Sequence, residues 1–177
     1  GNLVKKNRRI LLTINSVEAK KVPMPSVIGY SLRQAKAELI VRNLQVGRLI
    51  YVRDMATNNV LSQSINGKRI SSGTMVDAES EIDLEVGISS EMETTFIPNV
   101  KGLTISTAKD LLIDNSLNIG KVYYDAAIRS SSDSLVGFVI KQEPEASEFS
   151  SFQLGTNVNL WLSIDKSKLE KQNPPKK

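Results

Sequence analysis

The chemistry open to this chain is set first by what it lacks. Its 177 residues include no histidine and no cysteine. Imidazole bases, thiol nucleophiles, disulfides and the usual zinc ligands are therefore removed together. The nucleophilic arrangement that remains is a serine beside a lysine. The tail stretch SKLEK, from Ser167, lies in a segment expected to be solvated. SSSDS at 130–134 reads as a flexible loop. No catalytic residue, metal site or cofactor is expected.

Acids and aromatics are the other candidates. Residues 77–93 hold seven acids and no base, and Glu81, Asp83 and Glu85 share one strand face at period 2. A cation site needs oxygens that converge, usually from a tight loop. Acids strung along a strand do not converge, so a solvated acidic face is expected. Trp161 is the only tryptophan. In VNLWLS, Val158, Leu160 and Leu162 share one face, which leaves Asn159, Trp161 and Ser163 on the other. Trp161 then either stacks on a sugar or docks a domain, or covers a neighbour within its own unit. Tyr123 poses the same choice. The candidate ligand-binding set is Trp161, Asn159 and Tyr123.

Charge narrows the partners. The net charge of +4 divides unevenly along the chain. Residues 1–21 and 166–177 carry +9, whereas residues 22–165 carry −5. The basic pI belongs to the ends. Nucleic-acid binding needs a basic face on the fold, so none is expected. No stretch approaches the ~20 apolar residues of a membrane helix.

The elements that must position these residues are written twice. MPSVIGYSLRQAKAELI begins at Met24 and IPNVKGLTISTAKDLLI at Ile97. At the fixed offset of 73, residues 24–51 and 97–124 share ten identities, mostly apolar residues and glycine. Those are the types a fold needs; a doubled catalytic motif would repeat polar groups. The match resumes at VLSQS from Val60 against VIKQE from Val139, and at IDLEVG from Ile82 against VNLWLS from Val158. ILLTIN at 10–15 has the pattern of the closing strand, so it reads as the last strand of a preceding unit that has lost its own helix.

Each unit predicts an α+β domain. Gly29 or Gly102 turns the chain, and Ser31 or Thr104 caps a helix over 31–42 or 104–115. Gln34 completes a capping box with Ser31. Leu32, Ala35 and Leu39 form the inward stripe of the first helix, matched by Ile105, Ala108 and Leu112. Strands follow near 44–52, 60–64 and 82–87, and near 117–125, 139–143 and 158–163. Gly47 and Gly120 read as bulges, and a side chain there would be strained if φ is positive. Tyr51 and Tyr124 hold equivalent places and read as structural. The expected architecture is tandem small domains, each one helix on a three-stranded antiparallel sheet. The boundaries are 1–21 (strand plus linker), 22–88, 95–165 and a basic disordered tail at 166–177.

The ordered set PxVxG, capped helix, L-x-V-G, V-x-x-Q and G-T-x-V-x-L resembles PASTA domains, the penicillin-binding-protein and serine/threonine-kinase associated repeats. The resemblance covers 24–87 and 97–163. The second unit keeps Pro144 after its glutamine, whereas the first reads QSING. The resemblance implies a non-catalytic, extracytoplasmic module of a bacterial envelope protein, anchored by an upstream segment. It implies peptidoglycan fragments, muropeptides, cell-wall precursors or β-lactams as ligands, and neighbouring repeats or envelope proteins as partners. It leaves two other roles: a spacer or interaction scaffold without a glycan ligand, and an ectodomain fragment of a receptor kinase or transpeptidase.

Overall fold

The computed structural model describes residues 20–89 and 93–170. The strand expected at 10–15 lies outside the described residues. In repeat 1 the elements are β1 (Lys21–Pro23), α1 (Leu32–Val41), β2 (Gln45–Arg53), β3 (Val60–Ile65), β4 (Lys68–Arg69), β5 (Met75–Asp77) and β6 (Glu81–Ile88). In repeat 2 they are β7 (Thr94–Ile97), α2 (Ile105–Asp114), β8 (Asn118–Tyr124), α3 (Ser131–Val136), β9 (Phe138–Glu143), β10 (Ser147–Gln153) and β11 (Asn157–Ser163), followed by α4 (Ser167–Glu170).

The helices form where their caps place them. Ser31 Oγ accepts the N–H of Gln34, and Gln34 Oε1 accepts the N–H of Ser31. Thr104 caps α2 through the N–H of Thr107. Leu32, Ala35 and Leu39 are buried on α1, and Ala108, Leu112 and Ile113 on α2. Each helix covers the sheet of its own repeat. One core gathers around Leu39, Ile82 and Leu84, the other around Leu112, Leu117 and Leu160.

The tandem α+β architecture is as expected, but strand direction is not. The sheets run β2-β6-β3-β4 and β8-β11-β9. β6 pairs antiparallel with β3 but parallel with β2, and β11 likewise lies antiparallel to β9 and parallel to β8. The sheets are therefore mixed. Alternation marks a strand without naming its neighbours. β6 carries the most apolar stripe, with Ile82, Leu84 and Val86 fully buried, and takes the middle. β3 returns the chain before β6 forms, so β6 runs with β2 and inserts between its two predecessors.

A second correction concerns SSSDS. Residues 131–136 form α3 rather than a loop. Ser130 and Asp133 make a capping box, each satisfying the other's backbone N–H, which is the physical reason a serine-rich run becomes helical.

The bulges are real, but their glycines are not left-handed. The β2–β6 register slips between Val46 and Leu49, and the β11–β8 register between Val158 and Leu160. Positive φ falls instead on glycines such as Gly29 and Gly102, at 84° and 85°, where both helices are entered. Gly47 and Gly120 are needed for closeness. A Cβ there would lie 2.5 Å from Asp83 Oδ1 and 2.4 Å from Asn159 Oδ1 respectively. Those oxygens accept the next backbone N–H, from Arg48 at 2.7 Å and Lys121 at 2.8 Å.

Candidate ligand-binding face

Sheet pleating carries three side chains of repeat 2 to its open face. Trp161 on β11 stands directly opposite Tyr123 on β8 and Lys141 on β9. The Tyr123 and Trp161 rings stack with centroids 4.7 Å apart and planes 16° from parallel. Lys141 Nζ lies 4.4 Å from the Trp161 ring centroid. Stacking adds about 0.5–1.5 kcal/mol beyond burial, and a cation over an indole about 0.5–1 kcal/mol at an exposed site. Trp161 is half-buried, whereas Tyr123 keeps 41% of its surface exposed.

Trp161 and Tyr123 are thus brought together. Asn159 lies two residues along the same strand, with its oxygen committed to the N–H of Lys121. Its amide NH₂ remains the group a ligand could use. Sequence reasoning missed Lys141. The only signal for it was its place directly before Gln142 in the repeated V-x-x-Q, since adjacent strand residues point to opposite faces and Gln142 is buried.

Repeat 1 fills the same positions differently. Ile50, Glu85 and Ser62 stand where repeat 2 has Tyr123, Trp161 and Lys141. Glu85 accepts the Ser62 hydroxyl at 2.6 Å and pairs with Arg69 at 3.6 Å. Asp83 pairs with Arg48 at 3.6 Å, and Glu81 pairs with Lys109. The acidic strand face is therefore neutralised by neighbours. Among the described residues no group of three acids is placed to hold a metal ion.

Other polar clusters are structural in their contacts. Asp125 binds the ammonium of Lys168 and accepts the Ser163 hydroxyl at 2.7 Å. The Lys168 hydrogen bond, then those from Ser163 and the Ala127 N–H, hold its carboxyl down at about 2. Burial pushes the Tyr51 phenol up, partly offset by the neighbouring Ser116 hydroxyl. Sequence reasoning also passed over Ser106 and Lys109, three apart on α2. Both line the cleft between the repeats. Lys109 Nζ is paired across that cleft with the Glu81 carboxylate.

The PASTA domain family matches residues 22–88 and 95–164. The chain belongs to the PASTA domain family. Each matched span is one of the two helix-on-sheet repeats described above. No curated protein matches. Among solved structures the PASTA repeats are similar to the three-PASTA-domain crystal structure of a Ser/Thr kinase from Staphylococcus aureus, at 20% identity over 82% of this chain and 67% of that one, with a TM-score of 0.31. They are also similar to the entire extracellular region of the Ser/Thr kinase PrkC from Staphylococcus aureus, at 20% identity over 82% and 47%, with a TM-score of 0.30. A third similarity is to penicillin-binding protein 2X from Streptococcus thermophilus, at 16% identity over 84% of this chain and 18% of that one, with a TM-score of 0.36. The chain thus spans less than half the length of two of these three proteins. Among the described residues no helix is long and apolar enough to cross a membrane.

Proposed function

We propose that this PASTA pair is a non-catalytic, extracytoplasmic binding module of a bacterial envelope protein. It recognises peptidoglycan fragments or cell-wall precursors on the open sheet face of repeat 2. The observation that carries this reading is the Tyr123–Trp161–Lys141 stack. Repeat 1 spends the equivalent positions on a glutamate held by a serine and an arginine, so the stack is not required by the fold. Trp161 has one ring face against Tyr123 and the other under Lys141. A sugar ring therefore uses the outer face of Tyr123 and the edge of Trp161. The Asn159 NH₂ supplies a hydrogen bond, and Lys141 supplies attraction for a ligand carboxylate. Aromatic face plus neutral amide is chemistry suited to a glycan.

The test is a titration of soluble muropeptides followed by tryptophan fluorescence, with Trp161→Ala and Tyr123→Ala variants read by calorimetry. Saturable binding lost in both variants supports the site. Binding that survives both places the ligand elsewhere. A second reading, a spacer or interaction scaffold, draws support from the contacts between the repeats described below. Failure to bind muropeptides, together with no retention on insoluble peptidoglycan, would favour it.

A further inference from the structure

The two repeats touch through a joint of unusual chemistry. Asn118, buried at the start of β8, reaches across to the edge strand β2. Its Oδ1 accepts the N–H of Leu49 at 2.8 Å, and its Nδ2 donates to the C=O of the same residue at 2.9 Å. Nδ2 also donates to the Gly155 C=O at 3.0 Å. One side chain thus satisfies both outward backbone groups of a strand edge, as a neighbouring strand would.

Four further contacts surround this clamp. Lys36 of α1 meets Asp114 at 2.7 Å and Asp110 at 3.3 Å on α2. Lys109 of α2 meets Glu81 at the start of β6. Ile113 of α2 is buried in the core of repeat 1 with only 4% exposed. Tyr51 fits against Gly155, where an added Cβ would come within 3.1 Å of its ring.

The joint consumes the same face of both repeats. At the offset of 73, Lys36 corresponds to Lys109, Ile40 to Ile113 and Leu49 to Val122, and members of all three pairs line the space between the repeats or bond across it. A joint that propagated along an array would leave repeat 2 with a free copy of the face repeat 1 has filled. Here that copy is already in use. An interface built from like faces closes after two members, whereas unlike faces extend into a filament.

The clamp also has a direction. The position equivalent to Asn118 in repeat 1 is Gln45, and Glu79, at φ 65°, makes the turn that Gly155 makes in repeat 2. Repeat 1 therefore offers a longer amide, and a charged side chain where the tyrosine needs space. Repeat 1 is built to receive, and repeat 2 to dock.

We propose that the α1/β2 face is a repeat-recognition site with a defined partner. That partner is a PASTA repeat presenting an asparagine to the Leu49 peptide and a glycine to Tyr51. Filled by repeat 2, the site closes the pair into one rigid block and admits no third repeat. Any further repeat of a longer chain joins the block through linker alone.

Residual dipolar couplings on the ¹⁵N-labelled chain test this, with sedimentation alongside. The expected result is a single alignment tensor fitting both repeats and a monomer at all concentrations. Asn118→Leu should give two independent tensors. Because Asn118 also holds Gly155 within repeat 2, Lys36→Glu provides a second variant that faces only Asp110 and Asp114; it should also give two tensors, with unchanged amide shifts away from the joint. Lys101→Glu, a charge reversal remote from the joint, should keep one tensor. Two tensors in the unaltered chain, or one tensor surviving in both joint variants, would overturn the proposal. Concentration-dependent chains of the unaltered protein that Lys36→Glu abolishes would also overturn it, since the face would then not be closed.

Discussion

Gln142 holds Val100: its Oε1 accepts the Val100 N–H at 2.8 Å across 42 residues of sequence. Its Nε2 donates to the C=O of Pro98 and of Pro144. Gln63 repeats this on Val27, Pro25 and Ile70. Both glutamines are buried. Each staples the extended PxV segment over the sheet, and so sets where the helix begins.

Replacing either glutamine by leucine keeps the volume and abandons three backbone partners. Each unsatisfied buried group costs about 1–3 kcal/mol. Gln63→Leu and Gln142→Leu should each destabilise their own repeat by at least about 3 kcal/mol, the low end for three such groups. Urea unfolding followed by repeat-specific amide signals checks this. Equal loss in both repeats from one substitution would contradict the separate cores.

The bulge glycines give a coupled prediction. Gly120→Ala forces a Cβ onto Asn159 Oδ1, and overpacking of this kind costs about 1–3 kcal/mol. Shortening the obstruction with Asn159→Ser should recover part of that loss, making the pair non-additive. Gly47→Ala with Asp83→Ser should behave alike. A double-mutant cycle in thermal unfolding measures both.

Asp125 sets an acid limit. Its folded value of about 2 lies below the ordinary aspartate range, so the unfolded chain binds the proton more readily. The stabilisation is complete above the unfolded value near 4 and is lost as pH falls from there through about 2. Asp125→Asn should flatten the stability profile in that window and leave its shape above pH 5 unchanged. Chemical denaturation between pH 2 and 6 is the measurement.

Lys141→Gln removes the cation above Trp161. The expected cost is about 0.5–1 kcal/mol, with a change in tryptophan emission that Tyr123→Phe, which keeps the ring stack, should not reproduce. Emission spectra and melting curves of the two variants decide it.

The helices α1 and α2, the strands β2, β3, β6, β8, β9 and β11, and both bulges were legible in the sequence because each has a local signature: a cap, an alternation, a glycine at fixed offset. Strand order was not, because β2, β3 and β6 alternate alike and only their relative apolarity ranks β6 for the centre. The aromatic half of the candidate site was readable from the pleat of VNLWLS. Lys141 was not, since its partner comes from a strand 20 residues later. Asn118 looked like an ordinary strand residue. Its importance comes from an edge that belongs to the other repeat, which no pattern within its own repeat encodes.

The incoming chain has a mechanical consequence. β1 pairs with β5 and β7 with β10, so each repeat draws the segment leading into it onto its own surface as a two-stranded ribbon. β1 holds three residue pairs, and just behind it Gln63 grips Pro25 and Val27. A pull on the chain from its N-terminal side therefore loads that small ribbon first, and the glutamine next, before any force reaches the sheet. Because Val76 of that ribbon and Met24 just behind it belong to the core of repeat 1, with Val22 packed against it, the same pull is carried into the core as soon as the ribbon parts.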